Sequence, residues 1–143
     1  QQLLDNHTRV EHAVPKCSSR QLYKGILDDQ SRAVFNGKVH VPQYAQETDG
    51  YQLNKTILLS KEARVYTKPE LEIYANDVKC THGATIGQLS DDELFYFQSR
   101  GISKAKAMQM LIHGFVEDVL LSVTHARTQH LLQKILGNFY AQI

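Results

Sequence analysis

Polar and apolar residues alternate along the first part of this chain and then change to a helical step. Val39 and Val41 flank His40, and Leu71 and Ile73 flank Glu72. Alternation at period two, with much β-branched content, predicts half-buried strands over 34–41 and 65–74. Beyond Ser90 the rhythm differs. Ala107, Met108, Leu111, Ile112, Phe115, Val116, Val119, Leu120 and Val123 recur at steps of three and four, as do Leu131, Leu132, Ile135, Leu136, Phe139 and Tyr140. That spacing predicts two amphipathic helices. A shorter helix precedes them, opened by the capping box Ser90-Asp-Asp-Glu93 and ended near Ser99 by Gly101; Ser103 is placed to cap the next. The expected division is strands over 1–88 and a helical C-terminal domain over 89–143.

The strand region repeats. Gln21-Leu-Tyr-Lys-Gly-Ile-Leu27 and Gln52-Leu-Asn-Lys-Thr-Ile-Leu58 share QLxKxIL at an offset of 31 residues (52 − 21). Ala84-Thr-Ile86 aligns with Lys55-Thr-Ile57 as a weaker third copy. A period of about 30 residues built from short strands, with no helix between them, predicts stacked coils of a parallel β-solenoid, each covering its neighbour's apolar side chains. The positions expected to point inward are Leu22, Ile26, Val34, Val39, Val41, Leu53, Ile57, Leu59, Val65, Leu71, Ile73 and Val78. An antiparallel sandwich or barrel is the competing architecture for short strands at regular spacing. Asp28-Asp-Gln-Ser31, Asn36-Gly37 and Asp49-Gly50 carry turn chemistry, and Pro15, Pro42 and Pro69 are expected at or beside strand ends.

Composition narrows the function classes. At 143 residues and 42% hydrophobic content, one domain, or one with a small appendage, is expected. Sixteen basic residues stand against 15 acidic ones, scattered along the chain, for a net charge of +1. That balance leaves no electrostatic footprint for nucleic acid. No apolar run approaches the roughly 18 residues that span a bilayer, so no membrane segment is expected. Two cysteines without a disulfide framework fit a reducing, cytoplasmic compartment. The chain begins at Gln1 without an initiator Met and enters patterned sequence almost at once, so a piece of a longer protein is expected.

Cys80-Thr81-His82 is the constellation with metal-ligand character. On a strand, residues 80 and 82 share a face, where a thiolate and an imidazole can converge on zinc or iron. Two ligands do not complete a tetrahedral site, and the plain alternative is a packed Cys beside a solvated His. Cys17 stands 63 residues before Cys80 (80 − 17) and joins such a site only where the coils bring the two together. The other histidines, His7, His12, His40, His113, His125 and His130, form no ligand pairing. There is no phosphate-binding lysine loop, no nucleophile elbow and no HExxH. An acid–base reading would fall on Asp28-Asp29 or on Glu70 and Glu72, the carboxylates a carbohydrate-active β-helix protein would need clustered on one face.

Several stretches resemble one family. They are Cys17-Ser-Ser-Arg-Gln-Leu22, Ser31-Arg-Ala-Val-Phe-Asn-Gly37, Thr48-Asp-Gly50, Thr67-Lys-Pro-Glu-Leu-Glu-Ile-Tyr-Ala75 and Asp77-Val-Lys-Cys-Thr-His-Gly-Ala-Thr85, followed by Leu94-Phe-Tyr96 and Ser99-Arg-Gly-Ile102. Together they are similar to the SufB/SufD family of iron–sulfur cluster assembly scaffold subunits. Where SufB-like chains carry a Glu-His-Glu-Ala arrangement after the Cys, this chain reads Thr81-His-Gly-Ala84, which resembles the SufD branch. The resemblance implies a right-handed parallel β-helix core followed by a C-terminal helical domain. It implies a non-catalytic scaffold that pairs with a SufB-like subunit and binds the ATPase subunit SufC through its helices, centred here on Ser99, Arg100 and Gly101. It also implies that His82, with Cys80 as companion, lies at the SufB interface as a ligand of iron or of the nascent cluster. The cluster would be transient in the full complex, with no tightly bound cofactor in this piece and self-pairing of the isolated chain as a further partner mode.

Overall fold

The computed structural model describes residues 2–140, so positions 1 and 141–143 of the expected domains lie outside the described residues. Six strands come first: β1 (Leu3–Glu11), β2 (Ser18–Leu27), β3 (Arg32–Val41), β4 (Thr48–Leu58), β5 (Arg64–Ile73) and β6 (Val78–Gly87). Three helices follow: α1 (Asp91–Gln98), α2 (Lys104–Leu121) and α3 (Ala126–Tyr140). The chain divides between Gln88 and Leu89 into two compact units, one of strands and one of helices.

The strands alternate between two three-stranded parallel sheets, ordered β1-β3-β5 and β2-β4-β6. Each parallel crossover therefore passes through a strand of the opposite sheet, where most parallel sheets use a helix. The repeated heptapeptides fall in register, Gln21 opposite Gln52, Leu22 opposite Leu53, and so on to Leu27 opposite Leu58. Parallel pairing of equivalent positions excludes the antiparallel alternative. The weaker third copy is offset by one residue from its expected alignment: Ala84 pairs with Asn54 and Ile86 with Thr56. A one-residue slip reverses the face of every side chain, so Ile86 does not continue the column of Ile57.

The inner faces are narrower and more polar than the alternation suggested. Val39, Val41, Ala45 and Ala75 form one buried cluster, with Leu71, Ile73, Val78 and Cys80 packed against it. Leu27, Ala33 and Ala63 form a second, joined by Leu58 and Val65. Between the two, Gln52, Asn54 and Thr56 are buried on the inner face of β4. Since side chains alternate along a strand, Leu53 and Ile57 of β4, Leu22 and Ile26 of β2, and Val34 of β3 stand on the outer faces, contrary to expectation. Leu59 lies past the end of β4.

Two sequence signals misread the backbone. Asn36-Gly37 and Asp49-Gly50 lie inside β3 and β4, not in turns. Their glycines are there for room. A Cβ on Gly37 would stand 2.7 Å from the Gln52 amide nitrogen and 2.7 Å from the Phe35 ring, and one on Gly50 3.1 Å from the Cys80 sulfur. The corners instead use Lys16, Asp29 and Glu47 at positive φ. Pro69 lies in mid-strand rather than at an end, tolerated because β5 is an outer strand of its sheet and leaves backbone N–H groups unpaired.

In the helical unit, Ser90 Oγ accepts from Glu93 N–H (3.3 Å) and Ser103 Oγ from Lys106 N–H (3.3 Å). Each satisfies a first-turn donor that the helix itself cannot pair. Gly101, at φ +79°, ends the chain segment after α1 in the left-handed conformation that suits glycine. No helix of the described residues is long and apolar enough to cross a membrane.

Candidate functional site

Strand β6 is the outer strand of its sheet, and it carries both Cys80 and His82. The ladder fixes their neighbours. Cys80 stands opposite Gly50, which stands opposite Ser19; His82 stands opposite Gln52, which stands opposite Gln21. Cys80 is half-buried against the Val39–Val41–Ala45–Ala75 cluster, so its side of the strand is the inner one. By the pleat His82 shares that side, yet it is exposed, because no further strand covers it. Among the described residues no hydrogen bond or ion pair is made by its ring.

The structure adds three neighbours that sequence reading left without a role. Gly50 lets the Cys80 sulfur pack onto the backbone of β4, and His12 Nε2 approaches the same point, 3.8 Å from where a Gly50 Cβ would be. His12 is buried, its Nε2 bonded to Ser19 Oγ at 3.0 Å, and burial holds its pKa below the ordinary imidazole value. A buried imidazole and the Cys80 sulfur thus both approach Gly50. Gln52 lies beside His82 in the ladder, fully buried, its Nε2 donating to Gln21 Oε1 at 2.6 Å. The 31-residue repeat was the available signal for Gln52, since it pairs Gln21 with Gln52; nothing in the sequence extends that column to His82 or brings His12 to Cys80.

Cys17 does not meet Cys80 in the ladder. Its carbonyl accepts from Asp49 N–H at 2.9 Å, just ahead of β2, and β4 separates β2 from β6. Both cysteines are free. No group of three or more His, Cys, Asp or Glu side chains among the described residues is gathered to hold a metal ion.

At the end of α1, Ser99, Arg100 and Gly101 form an exposed corner. Arg100 Nη1 donates to the Tyr96 carbonyl (3.2 Å) and its guanidinium lies 3.5 Å from the centroid of the Tyr96 ring. The side chain lies over the end of the helix, where Ser99 Oγ also donates to the Tyr96 carbonyl (2.8 Å), and the residue is exposed.

The carboxylates of β5 are neutralised. Glu72 is held below its ordinary pKa by hydrogen bonding to Lys38 (2.6 Å) with His40 at 3.3 Å, and Glu70 by Lys68 (2.5 Å) with Lys38 at 3.6 Å. Hydrolysis of a glycosidic bond needs one of two carboxyls held protonated, and here both are driven the other way. The carbohydrate-active alternative finds no support at Glu70 and Glu72.

What these features define is a mainly β protein of two parallel sheets with three helices, presenting a sulfur–nitrogen pair of metal-ligand type at an outer strand. Residues 1–115 match the family described as SUF system FeS cluster assembly, SufBD core domain, and the chain belongs to that family. It is 46% identical over 136 residues to the iron–sulfur cluster assembly protein SufD of Escherichia coli K12, covering 95% of this chain and 31% of that protein. A SufBD family iron–sulfur cluster assembly protein of Synechocystis is 45% identical over 136 residues, covering 95% of this chain and 30% of its own length. One from Pyrococcus horikoshii is 36% identical over 100 residues, covering 70% and 22%. The chain is thus a SufD-like member of an iron–sulfur cluster assembly family, and it spans under a third of the length of these relatives.

Proposed function

We propose that this chain works as the C-terminal part of a SufD-like scaffold subunit, without catalysis of its own, in a cytoplasmic complex with SufB-like and SufC-like partners. In this reading the two parallel sheets are faces of a right-handed β-helix, the helical unit binds the SufC ATPase, and ATP hydrolysis belongs to SufC. The cluster is cargo. His82 contributes a ligand, or a proton-transferring imidazole, at the SufB-facing edge, with Cys80 beside it, while the remaining ligands come from the partner. The observation that carries the reading is the exposed, unbonded ring of His82 on an outer strand of a SufBD-family core. A neutral imidazole binds iron, and its ordinary pKa also suits proton transfer near neutrality.

His82→Ala in the complete scaffold tests it. Loss of cluster with the SufB–SufD pair intact is expected; a normal cluster yield with intact pairing would remove His82 from the mechanism. Arg100→Ala tests the corner at Ser99–Gly101. The donors left free on its guanidinium suit a partner carboxylate, so affinity for SufC is expected to fall about tenfold or more, as for an interface Arg. An unchanged affinity with the helical unit intact leaves Arg100 as a helix cap alone. Self-pairing of the isolated chain is read by sedimentation, where a single monomeric species would end that part of the proposal.

A further inference from the structure

In the middle of the strand unit the side chain of Gln52 has no solvent exposure, and its Oε1 has no hydrogen-bond partner. An orphaned buried acceptor is costly and calls for an explanation. The geometry around it is specific. Nε2 donates along the ladder to Gln21 on β2. The amide nitrogen and oxygen stand almost equally far from the place of a Cβ on Gly37, at 2.7 and 2.8 Å. With Nε2 held on the β2 side by Gln21, Oε1 is the amide atom left to serve the β6 side of the column. The next side chain of the column in that direction is His82, directly opposite Gln52 in the register.

We infer that Gln52 is a positioning residue for His82: a turn of the exposed imidazole, unbonded in this structure, seats its proton-bearing nitrogen on the unpartnered Oε1, which fixes one tautomer and leaves the other ring nitrogen bare at the edge of the sheet. Which nitrogen of an imidazole is free is set by the hydrogen bond the other makes, and such supporting partners tune a ligating His without touching the ion. Gln21 in turn holds the Gln52 amide, and Gly37 leaves the space in which it lies. The inner column holds no charged competitor. Cys80, two residues along β6, and the buried His12 near Gly50 are the titratable groups on the inner side, whereas Glu70 and Glu72 are on the outer face of β5 with Lys38 and Lys68. The inference deepens the proposed role of His82 and rests on it for its functional meaning, though not for its geometry.

The test uses the full-length protein with 15N-labelled histidines, its His82 signal assigned by comparison with His82→Ala, at a pH above the imidazole range. A fixed tautomer gives two widely separated ring nitrogen shifts, while an exposed free imidazole gives averaged ones. Separated shifts are expected in the unmodified protein, and Gln52→Met, which keeps the length of the side chain but no acceptor, is expected to return them to the average. Cluster yield in the complete scaffold should fall about tenfold in Gln52→Met, the lower range for a supporting partner of a metal-binding His. Averaged shifts in the unmodified protein overturn the inference even where Gln52→Met does not fold, and so does a tautomer unmoved by that substitution. The two proposals fail separately. A fixed tautomer with normal cluster yield in His82→Ala sinks the ligand reading and keeps the positioning. A lost cluster in His82→Ala with an averaged ring does the reverse.

Discussion

Gly37 illustrates how much of this fold is decided by space at single residues. Its neighbours Gln52 and Phe35 fill the volume a methyl group would need, both within 2.8 Å of it, and both are buried. Gly37→Ala is therefore expected to destabilise the strand unit by about 1–3 kcal/mol, the usual cost of overpacking, and denaturant unfolding measures it. Gly114 is the contrast. It lies inside α2 with nothing within 4 Å of its missing Cβ, so Gly114→Ala should stabilise by about 0.5–1 kcal/mol through helix propensity alone. A destabilised Gly114→Ala would mean that the α2 surface there is occupied. Sequence inspection assigns Asn36-Gly37 to a turn because glycine tolerates positive φ; the reason for the residue here is a side chain arriving from the opposite sheet.

Along the outer face of β3 and β5, Lys38 gathers Glu70 and Glu72, with His40 and Lys68 at the margins. These residues connect paired strands, as cross-strand pairs do. Their titration predicts a direction. Glu70 and Glu72 are held below the reference value of 4.5 by Lys68 and Lys38 respectively. Their contribution is complete above 4.5 and is lost as pH falls through the lowered folded values. Lys38 is held above 10.5 by Glu72 and Glu70, so its share is complete below 10.5 and fades as pH rises through the raised value. Unfolding midpoints should therefore fall on acidification below 4.5, and Lys38→Met should make that fall shallower. An acid limb of equal slope in Lys38→Met would assign it to other carboxylates, such as Asp49 with its Arg20 partner at 2.7 Å. The elements themselves follow local chemistry: serine caps at Ser90 and Ser103, a left-handed glycine after α1 and alternation in β3 all lie where the residues suggested.

Taken as a molecule, the two units differ in how completely they cover their apolar residues. The strand unit holds two buried clusters, whereas α3 buries none of its residues and leaves Leu131 and Ile135 over half exposed. Leu131, Ile135 and Phe139 recur every four residues and so share a face. An apolar helix face of this kind suits a partner, which under the proposed function is SufC. Ile135→Lys should leave the melting temperature of the protein unchanged, since the side chain is exposed, and weaken SufC capture about tenfold, the loss expected when an apolar anchor of an interface is replaced by a charge. Unchanged capture would place the contact elsewhere, with the Arg100 corner as the alternative already under test.

Periodicity and repeat spacing were enough to give strands before Ser90, helices after it, and parallel stacking of Gln21–Leu27 on Gln52–Leu58, because each depends on local propensity or on a count of residues. The inward faces were not legible. In β4 the polar Gln52, Asn54 and Thr56 are inside while Leu53 and Ile57 are outside, the reverse of what hydrophobicity alone selects, and alternation carries no sign of which side is in. The site divides in the same way. Cys80 and His82 were visible as ligand types two apart on a strand. Their surroundings, His12 and Gly50 beside the sulfur and Gln52 beside the imidazole, come from positions 30 or more residues away in the chain. Only the parallel pairing of β2, β4 and β6, with the single-residue slip in β6 that puts His82 in the Gln21–Gln52 column, and the approach of His12 to Gly50, bring them together.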